Sequence, residues 1–501
     1  MTNEKNENEN VENYEKTKLT GGKVIASGGY GCVFSPALRC EGSKKREKNK
    51  ISKLMTEKHT LKEYEEIEKV KSRLKYIPNF ADYFLVNNIT LCKPEQLTRF
   101  DLAQYKKKCR ALPKDKIYLD NINKSLDKLL LLNIPNGGLS LKDYVYKNGS
   151  FIKWYKISSG LIELLKNAIM PMNKQHYFHC DIKDSNILVQ ETNNELKLRL
   201  IDWGLSTEYT PFINEEIPKS WVTRSIQFNA PFSIILFTDD FEERYIKYIE
   251  KYDKIDENIL RPFAYNYIIF WLKKKGSGHY SFINEIMYIL FSNDIEGHSE
   301  NSKIKIIENE FTLFYITNYL VKVIESYTYL KQNKVVINFK EYIDNVFIHI
   351  VDVHGLLTCY FPLLHVLFIN YKKLTPSQEK IFNLIKNIFI NYLFSPIMDK
   401  NEIKPIIDDL EELTELIKQE TYNEEFDTLN IISESSASER TSRSSSKSSI
   451  GKGLSARSRN TRKARGIVKH KKTSKIFFRK KPKKILRDNN LFLLTQIKNK
   501  K

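Results

Sequence analysis

HCDIKDSNILV, residues 179–189, places an aspartate, a lysine two positions later and an asparagine five positions later in one short stretch. A tight loop can turn all three side chains into a single cleft. Phosphoryl transfer needs such a set: a carboxylate to orient or deprotonate the attacking hydroxyl, a cation for the moving phosphate, and an amide oxygen for a metal. The bare spacing arises by chance now and then. Here, however, a helix-patterned segment (151–175) precedes it and the apolar strand Ile187-Leu188-Val189 follows. Asp202 stands 21 residues beyond Asp181, where Leu198–Ser206 (LRLIDWGLS) runs an apolar strand into Asp202-Trp203-Gly204. A carboxylate at a strand end, with a glycine behind it, suits a magnesium ion bridging nucleotide phosphates. A hairpin turn is the plainer reading of the same three residues.

Upstream, residues 20–36 (TGGKVIASGGYGCVFSP) read as strand, glycine turn, strand, with a third strand at 49–55 (NKISKLM). Ile25, Ala26, Ser27, Gly28, Gly29, Tyr30, Gly31, Cys32 and Val33 span the turn and its flanks. Glycines there let backbone amides approach phosphate closely, although a simple hairpin fits the pattern equally well. Lys53 lies 20 residues beyond Val33, at a strand position that can face the same cleft and meet the α- and β-phosphates. Residues 58–75 carry Leu61, Ile67, Val70 and Leu74 at helical spacing.

Together these residues resemble the signature set of eukaryotic-type protein kinases: glycine-rich loop, strand lysine, catalytic loop and metal-binding Asp-x-Gly, in that order. Residues 130–143 (LLLNIPNGGLSLKD) are similar to the kinase hinge, where Asn133–Asn136 would face the adenine. Residues 351–356 (VDVHGL) resemble the start of a buried helix whose carboxylate, Asp352, braces the catalytic-loop backbone. Residues 224–234 (RSIQFNAPFSI) resemble the end of an activation segment, with Ala230-Pro231 at its close and the Ser225 hydroxyl touching the catalytic Asp and Lys. Lys183 and Ser225 point to the serine/threonine class. The patterns Ser-Lys-Leu-Met, Pro-Asn-Gly-Gly and Phe-Asn-Ala-Pro-Phe are similar to protein kinases of giant (nucleocytoplasmic large) DNA viruses.

The resemblance implies an α+β, bilobal protein-kinase-like fold with a small β-rich N-lobe and a larger helical C-lobe. It further implies ATP and Mg2+, and a serine or threonine hydroxyl on a protein as acceptor. Asp181 would be the catalytic base and Lys183 would stabilise the transferring phosphoryl group. Asn186 and Asp202 would hold Mg2+, Lys53 would hold the α/β-phosphates, and the 25–33 loop would cover them. The resemblance also implies a glutamate partner for Lys53 on the following helix; Glu66 is assigned, because Val70 and Leu74 follow it on adjacent turns, with Glu63 as the alternative. Departures from the family pattern accompany the match. Ala26 stands at the first glycine position, Trp203 replaces Phe and Phe232 replaces Glu. Cys180 replaces Arg, so phosphorylation of Thr207 or Thr210 is not expected to switch the chain on. Pro231 and Asp352 are 121 residues apart where such kinases use a short connection, which implies a helical insertion over 232–340 near the peptide-docking side. Two rival functions stand beside this one: a pseudokinase-type nucleotide-binding scaffold, suggested by Ala26, Cys180 and Phe232, and a small-molecule phosphotransferase, which can share the loop Asp and Asn.

On this reading the 501 residues divide into six parts. They are a disordered N-terminus (1–18), the N-lobe (19–132), the hinge and first part of the C-lobe (133–231), the insertion (232–340), the rest of the C-lobe (341–427) and a basic Ser/Arg/Lys-rich disordered tail (428–501). Helices are expected over 256–275, 281–291, 308–331, 342–371 and 378–394. The formal charge of +20 is concentrated: Ser433–Lys501 holds 22 Lys/Arg and 3 Asp/Glu, a net of +19, leaving +1 for the other 432 residues. The tail is therefore a candidate for binding nucleic acid or an acidic partner, and its Ser/Arg run a candidate for autophosphorylation. The acidic amphipathic stretch 402–427, with Leu410, Leu413 and Leu416 on one face, is a possible internal partner.

The six cysteines are scattered without a CxxC pair, which argues against a disulfide framework and for a reducing compartment. The polar N-terminus does not read as a signal peptide; an intracellular location, host cytoplasm or virion interior, is expected. The apolar run Phe347–Tyr371 is long enough to cross a membrane. It contains Asp352, His354 and His365, however, and reads better as a buried helix.

Overall fold

Short strands rich in Val, Ile, Leu and Phe build the first sheet of the computed structural model, which describes residues 22–193, 195–332 and 334–422. The strands are β1 (Lys23–Ser27), β2 (Gly31–Ser35), β3 (Lys50–Thr56), β4 (Thr90–Cys92) and β5 (Leu129–Pro135). All pairings are antiparallel, in the order β1-β2-β3-β5-β4, and the register sets Lys53 between Val33 and Leu132. Helix α1 (Glu57–Leu74) follows β3 with no intervening loop and buries Thr60, Ile67, Val70 and Leu74. Leu61, which helical spacing would add to that face, remains exposed.

Residues 93–128 had no evident role in the sequence, and they cover the face of the sheet turned away from α1. Leu97, Tyr105, Leu112, Ile117 and Ile122 pack there against Val24, Phe34, Leu54 and Leu131, forming a core separate from the main one. One disulfide, Cys32–Cys109, ties this cover to β2, and a second, Cys40–Cys92, ties the connection between β2 and β3 to the end of β4. The expectation of unpaired cysteines is thus corrected. The partners lie 77 and 52 residues apart: Cys109 reaches Cys32 because the cover folds back over β2, and Cys40 reaches Cys92 because the connection after β2 runs beside the end of β4, where Glu41 N donates to the Lys93 carbonyl; spacing reveals neither. With four of the six cysteines paired, cysteine usage no longer argues for a reducing compartment.

Past β5, Gly137 and Gly138 lead into β6 (Leu139–Ser140), which pairs with β8 (Ile187–Thr192). Gly138 has φ +93°, and a Cβ on it would lie 2.1 Å from the Val189 carbonyl, so glycine is required there. Helices α2 (Leu141–Lys147) and α3 (Phe151–Leu164) follow, and α3 runs on through a wide turn at Leu165–Ile169 into α4 (Met170–Lys174). Strand β7 (Tyr177–Phe178) pairs with β10 (Thr207–Glu208), and β9 (Glu195–Leu200) completes a sheet in the order β6-β8-β9.

Between Pro231 and Asp352 lie α5 (Asp239–Ile249), α6 (Glu257–Lys275), α7 (Tyr280–Phe291), α8 (Glu300–Ile306) and α9 (Leu313–Tyr327). Thr238 and Asp256 cap α5 and α6 by accepting first-turn amides. The helix expected over 308–331 stops at Tyr327. Thr328–Lys331 and Lys334–Ile337 instead form a hairpin (β11, β12), as the β-branched Val335, Val336 and Ile337 favour.

The apolar run divides into α10 (Ile348–Thr358) and α11 (Phe361–Ile369), joined by a turn before Pro362. The helical stretch Phe339–Ile369 is long and apolar enough to cross a membrane, but its most apolar window is wholly buried in the protein. Helix α12 (Pro376–Ile388) starts with a reciprocal Thr375–Gln378 capping box. Helix α13 (Ile403–Glu420) buries Ile406, Leu410, Leu413 and Ile417 and packs on α3. The expectations for 1–18 and for the tail 428–501 lie outside the described residues.

Candidate active site

Helix α10 presents Asp352 and Gly355, one turn apart, to the 179–182 loop. The Asp352 carboxylate is fully buried and accepts from the backbone amides of His179 at 2.9 Å and Cys180 at 2.8 Å. Those bonds fix Cys180 at φ +60°, a strained conformation for a residue with a side chain. Gly355 lets the loop approach: a Cβ there would sit 2.7 Å from the Ile182 carbonyl oxygen. His179 donates from Nε2 to the Ile201 carbonyl at 3.1 Å, leaving Nδ1 to accept the Asp181 amide at 3.3 Å.

This scaffold holds Asp181 among several donors. Lys183 Nζ lies 2.7 Å from Oδ2, Asn186 Nδ2 donates to Oδ2 at 3.0 Å and to the Asp181 carbonyl at 2.9 Å, and Asn229 Nδ2 donates to Oδ1 at 2.8 Å. Burial pushes the Asp181 pKa up. The charge and hydrogen bond of Lys183 and the Asn229 bond outweigh it, so the carboxyl lies below its ordinary range. Asn186 directs both amide hydrogens to Asp181 and leaves Oδ1 for another partner. Its carbonyl accepts the Ile201 amide at 3.0 Å, linking the loop to the chain that enters Asp202. Asp202 is exposed with φ +69°, while Trp203 is buried against His179, Phe84 and Tyr177.

Lys53 reaches both carboxylate oxygens of Glu63, at 2.7 and 2.6 Å. The assignment of Glu66 as its partner is therefore corrected. Because α1 begins directly after β3, the second helical turn is already level with Lys53. Glu66 lies three residues, about 4.5 Å, further along the axis. It stands 3.7 Å from Lys62 and faces the Asp202–Gly204 turn, and burial, opposed by the Lys62 charge and aided by the Glu63 and Asp202 carboxylates, raises its pKa.

The glycine turn closes through Gly28 N donating to Gly31 O at 2.9 Å, and Gly28, Gly29 and Tyr30 are exposed. A Cβ on Gly28 would lie 3.8 Å from Lys53 Cε, so this backbone passes over the lysine. Gly31 has a different reason to be glycine: a Cβ there would meet Met55 Cγ at 2.2 Å. The side chains of Ser27 and Cys32 face the 93–128 cover, Ser27 Oγ accepting the Arg110 and Ala111 amides at 3.0 and 3.1 Å and Cys32 forming its disulfide. Tyr30 stacks on His59 of α1, with ring centroids 4.3 Å apart. Ile25, Ala26 and Val33 remain on the two strands of the turn. Asn133, in the segment read as a hinge, is buried and bonded to Ser52 and Glu47, so its side chain braces the sheet and does not face the cleft.

Two residues near the site went unread in the sequence. Arg224 is buried and donates to the Cys180 carbonyl at 2.8 Å, bringing a guanidinium beside Asp181 and Asp352 although Cys180 has none to offer. Its own carbonyl accepts from Trp271 Nε1 on α6 at 2.8 Å. Asn229 bonds Asp181 where Ser225 was expected to; among the described residues the Ser225 hydroxyl makes no hydrogen bond to Asp181 or Lys183. An Arg and an Asn inside the 224–234 motif were the available signal, but their contacts depend on how that segment folds back.

The model of the ABC1 atypical kinase-like domain matches residues 106–229. The match takes in Asp181, Lys183, Asn186, Asp202, Arg224 and Asn229, and leaves out the glycine turn and Lys53. No curated protein matches the chain. On the match and the geometry together, this chain carries a kinase-like domain.

Proposed function

We propose that the chain is a bilobal serine/threonine protein kinase that transfers the γ-phosphate of ATP to a protein hydroxyl. The observation that carries this reading is the Asp181 carboxylate, ionised and oriented by Lys183, Asn186 and Asn229 on a loop pinned by Asp352. In the reaction the acceptor oxygen forms a bond to the γ-phosphorus, the bond from that phosphorus to the β,γ-bridging oxygen breaks, and ADP departs. Asp181 orients the hydroxyl and receives its proton; with a low pKa it does so late, as a loose transition state permits. Lys183, partly exposed beside it, meets charge on the transferring phosphoryl group. Lys53, held by Glu63, meets the α- and β-phosphates under the backbone of Gly28, Gly29 and Gly31.

Asn186 Oδ1 and the exposed Asp202 carboxylate fit Mg2+, a hard cation that takes few protein oxygens alongside phosphate and water. Bound there, Mg2+ would neutralise phosphate charge.

A small-molecule phosphotransferase is the second reading, favoured because the matched family is an atypical kinase-like one. Incubation with γ-labelled ATP and either a mixed protein acceptor or a panel of small alcohols separates the two. Acid-stable phosphoserine and phosphothreonine support the first reading, and label confined to small alcohols supports the second. We further propose that the basic tail engages a polyanion and that the chain works inside a cell or virion. Tail-dependent binding of nucleic acid that weakens steeply with salt is the check on the tail.

A further inference from the structure

The inserted segment reaches the catalytic neighbourhood through a short loop, Gly276–His279, between α6 and α7. His279 N donates to the Ile226 carbonyl at 2.8 Å, and Phe228 N donates to His279 Nδ1 at 3.2 Å. The loop is thereby bonded to the backbone on both sides of Gln227. Gly278 has φ +52°, and a Cβ on it would lie 2.3 Å from the Ile226 carbonyl oxygen and 2.9 Å from Ser225 Cβ, so the approach requires glycine. The next residue after Phe228 is Asn229, whose amide holds Asp181 Oδ1. The 226–228 edge therefore lies between the catalytic carboxylate and the insertion.

An extended polypeptide bringing a hydroxyl to Asp181 past this edge would pair with the Ile226 carbonyl and the Phe228 amide, the mode by which strands add to sheet edges. Here the insertion already makes both bonds. Burial, with Lys183 and Arg224 nearby and opposed by Asp181, lowers the His279 pKa and keeps Nδ1 available as an acceptor.

We propose that Gly276–His279 is a built-in occupant of the acceptor-docking edge at 226–228, so that the chain discriminates against extended serine and threonine peptides. Acceptors are then hydroxyls that reach Asp181 from a folded surface or displace the loop. This rests on the kinase reading above.

The test compares wild type, His279→Ala, His279→Asn and Gly278→Ala in the full chain. It measures phosphate transfer to an unstructured serine peptide and, separately, slow Mg-ATP hydrolysis to water. His279→Ala removes the Nδ1 acceptor and is expected to lower the peptide KM about tenfold, the worth of one hydrogen bond, with the ATP KM and the hydrolysis rate unchanged. His279→Asn, which keeps an acceptor near the Nδ1 position, should retain the wild-type KM. Gly278→Ala lifts the loop by a different route and should lower the peptide KM as well. An unchanged or raised peptide KM in both alanine variants, with wild-type melting and hydrolysis, overturns the proposal. A wild type that neither hydrolyses ATP nor transfers phosphate defeats the kinase reading itself, a different outcome from equal KM values in an active enzyme.

Discussion

Gly355→Ala tests how the buried helix governs the catalytic loop. The added methyl would lie 2.7 Å from the Ile182 carbonyl oxygen and 2.9 Å from Ile182 Cβ. Ordinary contact distances require a retreat of about 0.5–1 Å. Helix α10 is packed on every side, so the loop is the part that gives, and Ile182 sits between Asp181 and Lys183. Overpacking of this kind costs about 1–3 kcal/mol of stability. A displacement approaching 1 Å at the reacting groups costs about 10- to 100-fold in kcat. The ATP KM should hold, because Lys53, Glu63 and the glycine turn do not touch Gly355. Urea denaturation gives the stability term and γ-phosphate transfer at varied ATP gives the kinetic ones. A variant destabilised as expected but within twofold of wild-type kcat would refute the coupling of α10 to the catalytic loop.

Other outcomes follow from the same structure. Glu63→Gln removes the carboxylate that orients Lys53 and should reduce kcat/KM for ATP about tenfold, whereas Glu66→Gln should leave it within about threefold; steady-state kinetics of both variants decides which glutamate matters. Closure of the 77-residue loop by Cys32–Cys109 is worth about 4 kcal/mol, with the nested Cys40–Cys92 adding less. Dithiothreitol should therefore lower the urea midpoint of the wild type and barely move that of a Cys32→Ser/Cys40→Ser double variant. Burial pushes His354 down to about 4 from 6.5. The unfolded chain then binds a proton that the native state refuses, and about 3 kcal/mol of stability present above pH 6.5 is lost as pH falls toward 4. Urea midpoints from pH 7 to pH 5 should fall more steeply for the wild type than for His354→Gln.

What was legible in the sequence was local. Asp181, Lys183 and Asn186 sit within six positions, so one loop conformation brings them together whatever surrounds it. The apolar run around Asp352 was readable because a charge and two histidines in so hydrophobic a stretch need internal partners, and Asp352 has them in two backbone amides. The choice between Glu63 and Glu66 turned on the absence of a loop between β3 and α1, a boundary of one or two residues that helical periodicity does not resolve. The disulfides, the cover over residues 93–128, and the roles of Arg224 and Asn229 depend on contacts across tens of residues. Trp271 supporting Arg224 from α6 is typical: no spacing within the 224–234 motif announces it.

The most direct measurement of the central claim is transfer of labelled γ-phosphate from Mg-ATP to a basic protein acceptor and to the chain itself, for wild type and Asp181→Asn. Wild type should label serine or threonine, and the variant should lose at least about a hundredfold, because its asparagine cannot take the hydroxyl proton. No label from a wild type that still binds ATP, or equal labelling by Asp181→Asn, would contradict it.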